Sequence, residues 1–243
     1  LDVRIHGMSQ TTARNLTAAP SCWSIDDAAT LYGVDRWGGG YFAVNDAGHA
    51  VVQPGREDSA AGARIDLKRL VDELQQRGIA LPVLLRFSDV LADRLRQLTG
   101  AFRQAIDEFD YDGDYCGVYP IKVNQQRHVV EEIVHTGRSL GMGVEAGSKP
   151  ELLALLALVS DDSMPIICNG FKDDEFIEAV VLAMKIGKCV IPIVEQLAEL
   201  KRIVRYAQRH EVRPMIGLRV KVDARGAGRW ERSAGARSKF GLM

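Results

Sequence analysis

From residue 65 onward the chain alternates short apolar runs with longer segments in which apolar side chains recur three and four apart. The segment "IDLKRLVDELQQRG" has that spacing, which gathers its leucines, isoleucine and valine onto one helical face. The apolar run "LPVLLRF" then reads as a strand and "SDVLADRLRQLTGAFRQAI" as a helix. The alternation continues as strand "YCGVYPIKV", helix "VVEEIVHTGRSL", strand "GMGVEA", helix "SKPELLALLALV" and strand "MPIICN". It runs on through helix "DDEFIEAVVLAMKIG", strand "KCVIPIV", helix "EQLAELKRIVRYAQRH" and strand "PMIGLRVKV". Ahead of all this, "GGGYFAVNDAGHAVVQP" reads as two short strands around an "NDAG" turn, a hairpin signal.

Strands of unbroken apolar character separated by helices imply a parallel sheet covered on both faces. A doubly wound sheet would carry a glycine-rich phosphate turn after an early strand. None is present: "GVYPIKVNQQ" has no G-x-G-x-x-G, and "GGG" at 38–40 precedes a hairpin. The predicted fold class is therefore α/β, a partial (β/α)8 barrel preceded by an N-terminal β-hairpin and helix segment. The divisions read as a disordered lead-in over 1–22, an N-terminal segment with hairpin, helices and one strand over 23–110, and the first five βα units of a barrel over 111–243. A closed barrel takes about 250 residues by itself. The expectation is a fragment of a longer protein, inactive alone, with "MSQTT" from Met8 resembling a natural start.

Composition narrows the class without naming a chemistry. The chain is 47% hydrophobic and 26% charged with a formal net charge of −1, which favours neither nucleic acid nor an anionic membrane as partner. Apolar runs such as "LLALLALV" fall far short of the ~20 residues of a membrane helix, and residues 1–20 lack the apolar segment of a signal peptide. The four cysteines, Cys22, Cys116, Cys168 and Cys189, show no C-x-x-C. That pattern argues against a zinc site or disulfide scaffold and fits a reducing, cytoplasmic setting. The histidines, His6, His49, His128, His135 and His210, have no metal-ligand spacing, so no metal site is predicted.

The residue that stands out is Lys122, an ammonium group inside the apolar run "YPIKVNQ". Strand alternation puts Val118, Pro120, Lys122 and Asn124 on one side and Tyr119, Ile121 and Val123 on the other. If the second set meets the helices, Lys122 points into the barrel near the strand's C-terminal end, where barrel enzymes keep their active sites. A partly desolvated lysine there suits a Schiff base with a carbonyl compound. A lysine snorkelling to the mouth, or paired with a carboxylate, has the same pattern. Asn169, closing "IICN", is a second pocket candidate. Asp173 and Asp174 read as helix-start acids, Lys172 as a surface residue, and Ser148 with Glu151 as an S-x-x-E capping box. The polar, glycine-rich "DARGAGRWERSAGARSKFGL" reads as a loop of the kind that closes over a site.

Five stretches in series, "YPIKVNQ", "GVEAGSKPELL", "IICNGFKDDEFI", "IGLRVKV" and "GRWERSAGARSKFGL", resemble the bacterial biosynthetic arginine decarboxylases, pyridoxal-phosphate enzymes with an alanine-racemase-like barrel. "WSIDDAATLYGVDRWGGGYF" and "LPVLLRFSDVLADRL" are similar to the N-terminal region of the same family, so the resemblance runs from Trp23 to Leu242.

That resemblance implies pyridoxal 5'-phosphate bound to Lys122, with Glu145 close to the cofactor. A bland role for Glu145 is to neutralise Lys122. It also implies that Arg219, sharing a strand face with Lys221, lies near the cofactor, with Glu145 or the cofactor as its partner; an ordinary ion pair is the alternative. Ser238 and Lys239 match the family's "SKFG" without an assigned role. The implied reaction is decarboxylation of L-arginine to agmatine for polyamine synthesis, by a dimer-based homo-oligomer when full length, with Mg2+ suggested by resemblance only. Later family segments, outside these residues, would supply the ring-stacking histidine, the phosphate loop and the acid at the pyridine nitrogen. Decarboxylases of ornithine, diaminopimelate or carboxynorspermidine share the mechanism. A non-catalytic homologue, or a small single-barrel pyridoxal-phosphate carrier, keeps the barrel alone.

Overall fold

The computed structural model describes residues 23–54, 64–221 and 241–242. The expectations for the lead-in and for the loop bearing Ser238 and Lys239 fall outside them. The chain divides into two compact units, Leu1–Leu85 and Arg86–Met243.

In the first unit, α1 (Ile25–Tyr32) starts with a reciprocal cap: Ser24 Oγ accepts from Asp27 N at 3.1 Å, and Asp27 Oδ2 accepts from Ser24 N at 3.0 Å. The short helix α2 (Val34–Trp37) follows. The hairpin forms as predicted from β1 (Phe42–Val44) and β2 (Ala50–Val52), and Asn45 Oδ1 accepts from the N–H groups of Ala47 and His49 across its turn. The next segment departs from its predicted uniform helix. Ile65–Asp66 adds a third antiparallel strand, β3, beside β2, and α3 covers only Leu67–Gln76. Asp66 makes the switch, because its carboxylate accepts from Arg69 N at 3.0 Å and so caps α3. The predicted strand "LPVLLRF" is not one. Residues 79–87 take no regular structure and Leu84 is exposed; Pro82 has no N–H to give a ladder.

In the second unit, α4 (Ser88–Glu108) packs on α5 (Arg127–Leu140) through Leu95, Ile133 and the neighbouring Met142. Five parallel strands follow in chain order, each hydrogen-bonded to the next: β4 (Val118–Pro120), β5 (Gly143–Ala146), β6 (Ile166–Cys168), β7 (Val190–Val194) and β8 (Gly217–Leu218). The connecting helices are α5, α6 (Lys149–Leu158), α7 (Asp174–Lys185) and α8 (Leu197–His210). This is part of an α/β barrel, as the alternation predicts. Its core lies between sheet and helices, where Val144, Leu155, Ile166, Phe176 and Val180 are almost fully buried.

The period of two is clearest in β7. Val190, Pro192 and Val194 are buried against the helices, whereas Ile191 and Ile193 are half-buried on the opposite face. Alternation fails earlier in β4. After Pro120 the chain enters a single 3-10 turn, Ile121–Val123, so Ile121 is buried but Val123 is exposed rather than facing a helix. At β8, Leu218 and Val220 are exposed, and no described helix follows to cover them.

Candidate active site

The C-terminal ends of the five strands surround a cavity of about 730 Å³ lined by Lys122, Glu145, Gly147, Glu151, Ile167, Asn169, Gly170, Ile193, Glu195, Leu218 and Arg219. The strand period explains most of this set: 145 and 147, 167 and 169, and 193 and 195 are alternate residues that share one face. Lys122, Glu145, Asn169 and Arg219, singled out from the sequence, all line this one cavity.

The 3-10 turn sets Lys122 at the mouth. Its Nζ lies 3.3 Å from Glu145 Oε1, with the lysine side chain 60% exposed and that of Glu145 only 7% exposed. The desolvation expected for Lys122 is therefore absent: the turn swings it off the strand and toward solvent. Beneath it, Tyr119 is half-buried, its hydroxyl donates to Asn124 O at 3.3 Å, and desolvation raises its pKa.

Glu151 departs from the predicted capping box. Its Oε2 accepts from Gly147 N at 2.7 Å, one residue before Ser148, and Ser148 makes no side-chain cap. Its Oε1 accepts from Gln125 Nε2 at 3.1 Å, tying α6 to the segment that follows Lys122. Asp173 and Asp174 do begin a helix, with Asp173 Oδ1 accepting from Phe176 N at 2.8 Å.

Arg219 pairs with Glu195 at 3.2 Å rather than with Glu145. Strand register gives the reason. Val194 pairs with Leu218 in parallel, so the next residues of the two strands stand side by side. The segment "EQLAEL" reads as the opening of a helix, and periodicity alone does not single out Glu195. Its signal was positional, as an acid directly after a buried strand at the level of the other mouth residues.

Lys172 is the clearest correction. Instead of lying on the surface, it is fully buried. Its Nζ donates to the carbonyls of Gly170 and Ile193, each at 2.6 Å, and stands 3.7 Å from the equally buried Glu199 Oε2. Burial lowers the pKa of this amine, opposed by Glu199 and Glu195. Burial likewise pushes the nearby Cys168 thiol up to about 12, which makes it a poor nucleophile. Among the described residues no group of three or more His, Cys, Asp or Glu side chains is arranged to hold a metal ion. The suggested Mg2+ has no support from their arrangement.

Comparison with known proteins identifies the family. Residues 95–243 match the family model described as "Pyridoxal-dependent decarboxylase, pyridoxal binding domain". The chain is 53% identical over 222 residues to a biosynthetic arginine decarboxylase of Rhodopirellula baltica, covering 91% of this chain and 33% of that protein. To the protein of that name from Gloeobacter violaceus it is 50% identical over 220 residues, covering 90% and 34%. The crystal structure of the biosynthetic arginine decarboxylase of Campylobacter jejuni superposes with a TM-score of 0.71 at 33% identity, covering 87% of this chain and 33% of that one. The chain thus spans about a third of the length of the curated relatives it matches.

Proposed function

The chain belongs to the pyridoxal-dependent decarboxylases, and from that premise we propose that its strand-end cavity holds pyridoxal phosphate on Lys122 in a protein that converts L-arginine to agmatine and CO2. The observation that carries this reading is the amine of Lys122 at the cavity mouth with a buried carboxylate 3.3 Å away.

The residues present suit such a group. The cavity, at about 730 Å³, lies within the range typical of small-molecule sites. Lys122 supplies the attachment, Glu145 and Asn169 polar partners, and Arg219 a cation toward an anionic ligand. When bound, the cofactor supplies the electron sink for the pair released as CO2 leaves. The chain's own part is positioning. Glu145 Oε1 holds the Lys122 amine, which would otherwise sample solvent freely. The Gln125–Glu151–Gly147 bonds tie the segment that follows it to the loop after β5.

Arginine as the substrate rests on the relatives' names and applies to the whole protein. These 243 residues alone are expected to give no turnover. The same reading makes the protein a cytoplasmic homo-oligomer built on dimers, with a small-molecule substrate and neither nucleic acid nor a membrane as partner.

The test uses the whole protein. Purified wild type should show the visible band of lysine-bound pyridoxal. Borohydride reduction and peptide mapping should place the adduct on the peptide containing Lys122. Lys122→Ala should lose the band and agmatine formation together. An adduct on another lysine, or turnover of ornithine or diaminopimelate in preference to arginine, would overturn the corresponding part of the reading.

A further inference from the structure

A chain of hydrogen bonds and ion pairs leads from the buried core to the cavity. It begins at Glu199, whose fully buried carboxylate accepts from three backbone N–H groups: Lys172 at 3.1 Å, Glu195 at 2.8 Å and Gln196 at 3.3 Å. That one side chain fastens the end of β7 to the loop between β6 and α7. Lys172, held beside it, fastens the same two segments again through the carbonyls of Gly170 and Ile193. The Gly170 peptide passes the restraint on, since its N–H donates to Glu195 Oε1 at 3.1 Å. The same oxygen accepts from Arg219 Nη1 at 3.2 Å.

Glu195 is therefore fixed at its backbone by Glu199 and at its side chain by Gly170. Its side chain is only 3% exposed, and its other oxygen, Oε2, is buried with no hydrogen-bond partner among the described residues. A buried carboxylate oxygen without a donor is costly, and a residue needed only to satisfy one N–H of Gly170 would not require a second oxygen or a charge. What the charge does serve is the guanidinium of Arg219, a half-exposed group on the cavity wall.

We infer that Glu195 is the positioning residue of Arg219, and that the buried Lys172–Glu199 pair in turn sets Glu195. The inference rests on the cofactor reading above and adds to it the residue that aims the guanidinium of the cavity wall. Glu195 acts through Arg219 and has no contact with the reacting atoms assigned to it.

The test is a double-mutant cycle in the whole protein, read as the dissociation constant for pyridoxal phosphate titrated by its visible absorbance. The variants are Glu195→Gln, Arg219→Gln and the pair together, with near-UV circular dichroism confirming that each is folded. Each single change should weaken binding about tenfold, a change of about 1.4 kcal/mol. The double change should also weaken it about tenfold, because the second removal finds the interaction already lost. Glu195→Asp, still charged but shorter, takes the place of Glu195→Gln in the same cycle if that variant does not fold. An additive hundredfold loss, or unchanged binding in Glu195→Gln, overturns the inference while leaving the cofactor reading intact. A wild-type protein that binds no pyridoxal phosphate overturns both.

Discussion

The ammonium of Lys122 and the carboxylate of Glu145 meet at 3.3 Å across the mouth of the strand bundle, the first largely exposed and the second buried. Such a pair is screened on one side only. Lys122→Ala leaves the carboxylate without this cation, yet water reaches the gap. The expected loss is about 1 kcal/mol in urea unfolding, the upper end of the range for solvent-exposed pairs. Adding Glu145→Gln to that variant should restore most of it. A loss several times larger would show that water does not enter the site.

Lys172 and Glu199 are both fully enclosed. Removing one member of such a pair strands the other, so Lys172→Met should lower stability by about 3–5 kcal/mol, and adding Glu199→Gln should recover part of that. The pair also gives an alkaline signature. Burial lowers the Lys172 pKa below the ordinary 10.5. Between the lowered value and 10.5 the unfolded chain holds a proton that the folded chain has released, so stability rises with pH across that window. In unfolding titrations, the difference in unfolding free energy between wild type and Lys172→Met should rise across that window, because the raised Cys168 thiol, which acts in the opposite direction, is common to both proteins.

Gly170 is held at φ +78°, and a methyl group there would lie 2.6 Å from the carbonyl oxygen of Gly147. Gly170→Ala meets a left-handed backbone and a collision with main chain together. A loss of about 1–3 kcal/mol is expected from the backbone conformation alone. Because this peptide also anchors Glu195, pyridoxal phosphate affinity should fall as well. Thermal melts and the absorbance titration report the two effects separately, and wild-type values in both would contradict this account of the loop.

Asp66 carries the acid-side prediction. It accepts from Arg69 N, His49 Nδ1 and Asn45 Nδ2, with Arg69 N the largest influence, and its pKa falls from 3.8 to about 2. A depressed carboxylate contributes stability that is fully present above 3.8 and disappears as pH falls through about 2. Asp66→Asn should therefore be less stable than wild type near neutrality, with the difference closing across that interval. A difference independent of pH would mean that the carboxylate's charge is not what holds β3 to α3.

Much of the second unit was legible from pattern alone. Apolar runs long enough for one strand, spaced by helical segments, admit few packings other than a parallel sheet with helices over it, and five strands appear in that order. Asp173 at a helix start and the "NDAG" hairpin turn were legible because capping and tight turns depend on residues close in sequence. The failures share an opposite cause. "LPVLLRF" has a strand's composition but no ladder to join among the described residues, and strand pairing is not a local property. Asp66 ended one element and capped the next, which a search for helical period reads as uninterrupted helix.

The same division governs the site. Sequence by itself determined that Lys122, Glu145, Asn169 and Arg219 come at or just after strand ends, since alternation and strand length follow from the order of side chains. Only the tertiary structure decided which charges meet. Register between β7 and β8 set Arg219 beside Glu195. A 3-10 turn opened Lys122 to solvent. Packing of α8 on the β6–α7 loop enclosed Lys172 with Glu199. A lysine's burial depends on what neighbouring segments bring to it, here an acid 27 residues away in the chain, and no local pattern carries that information.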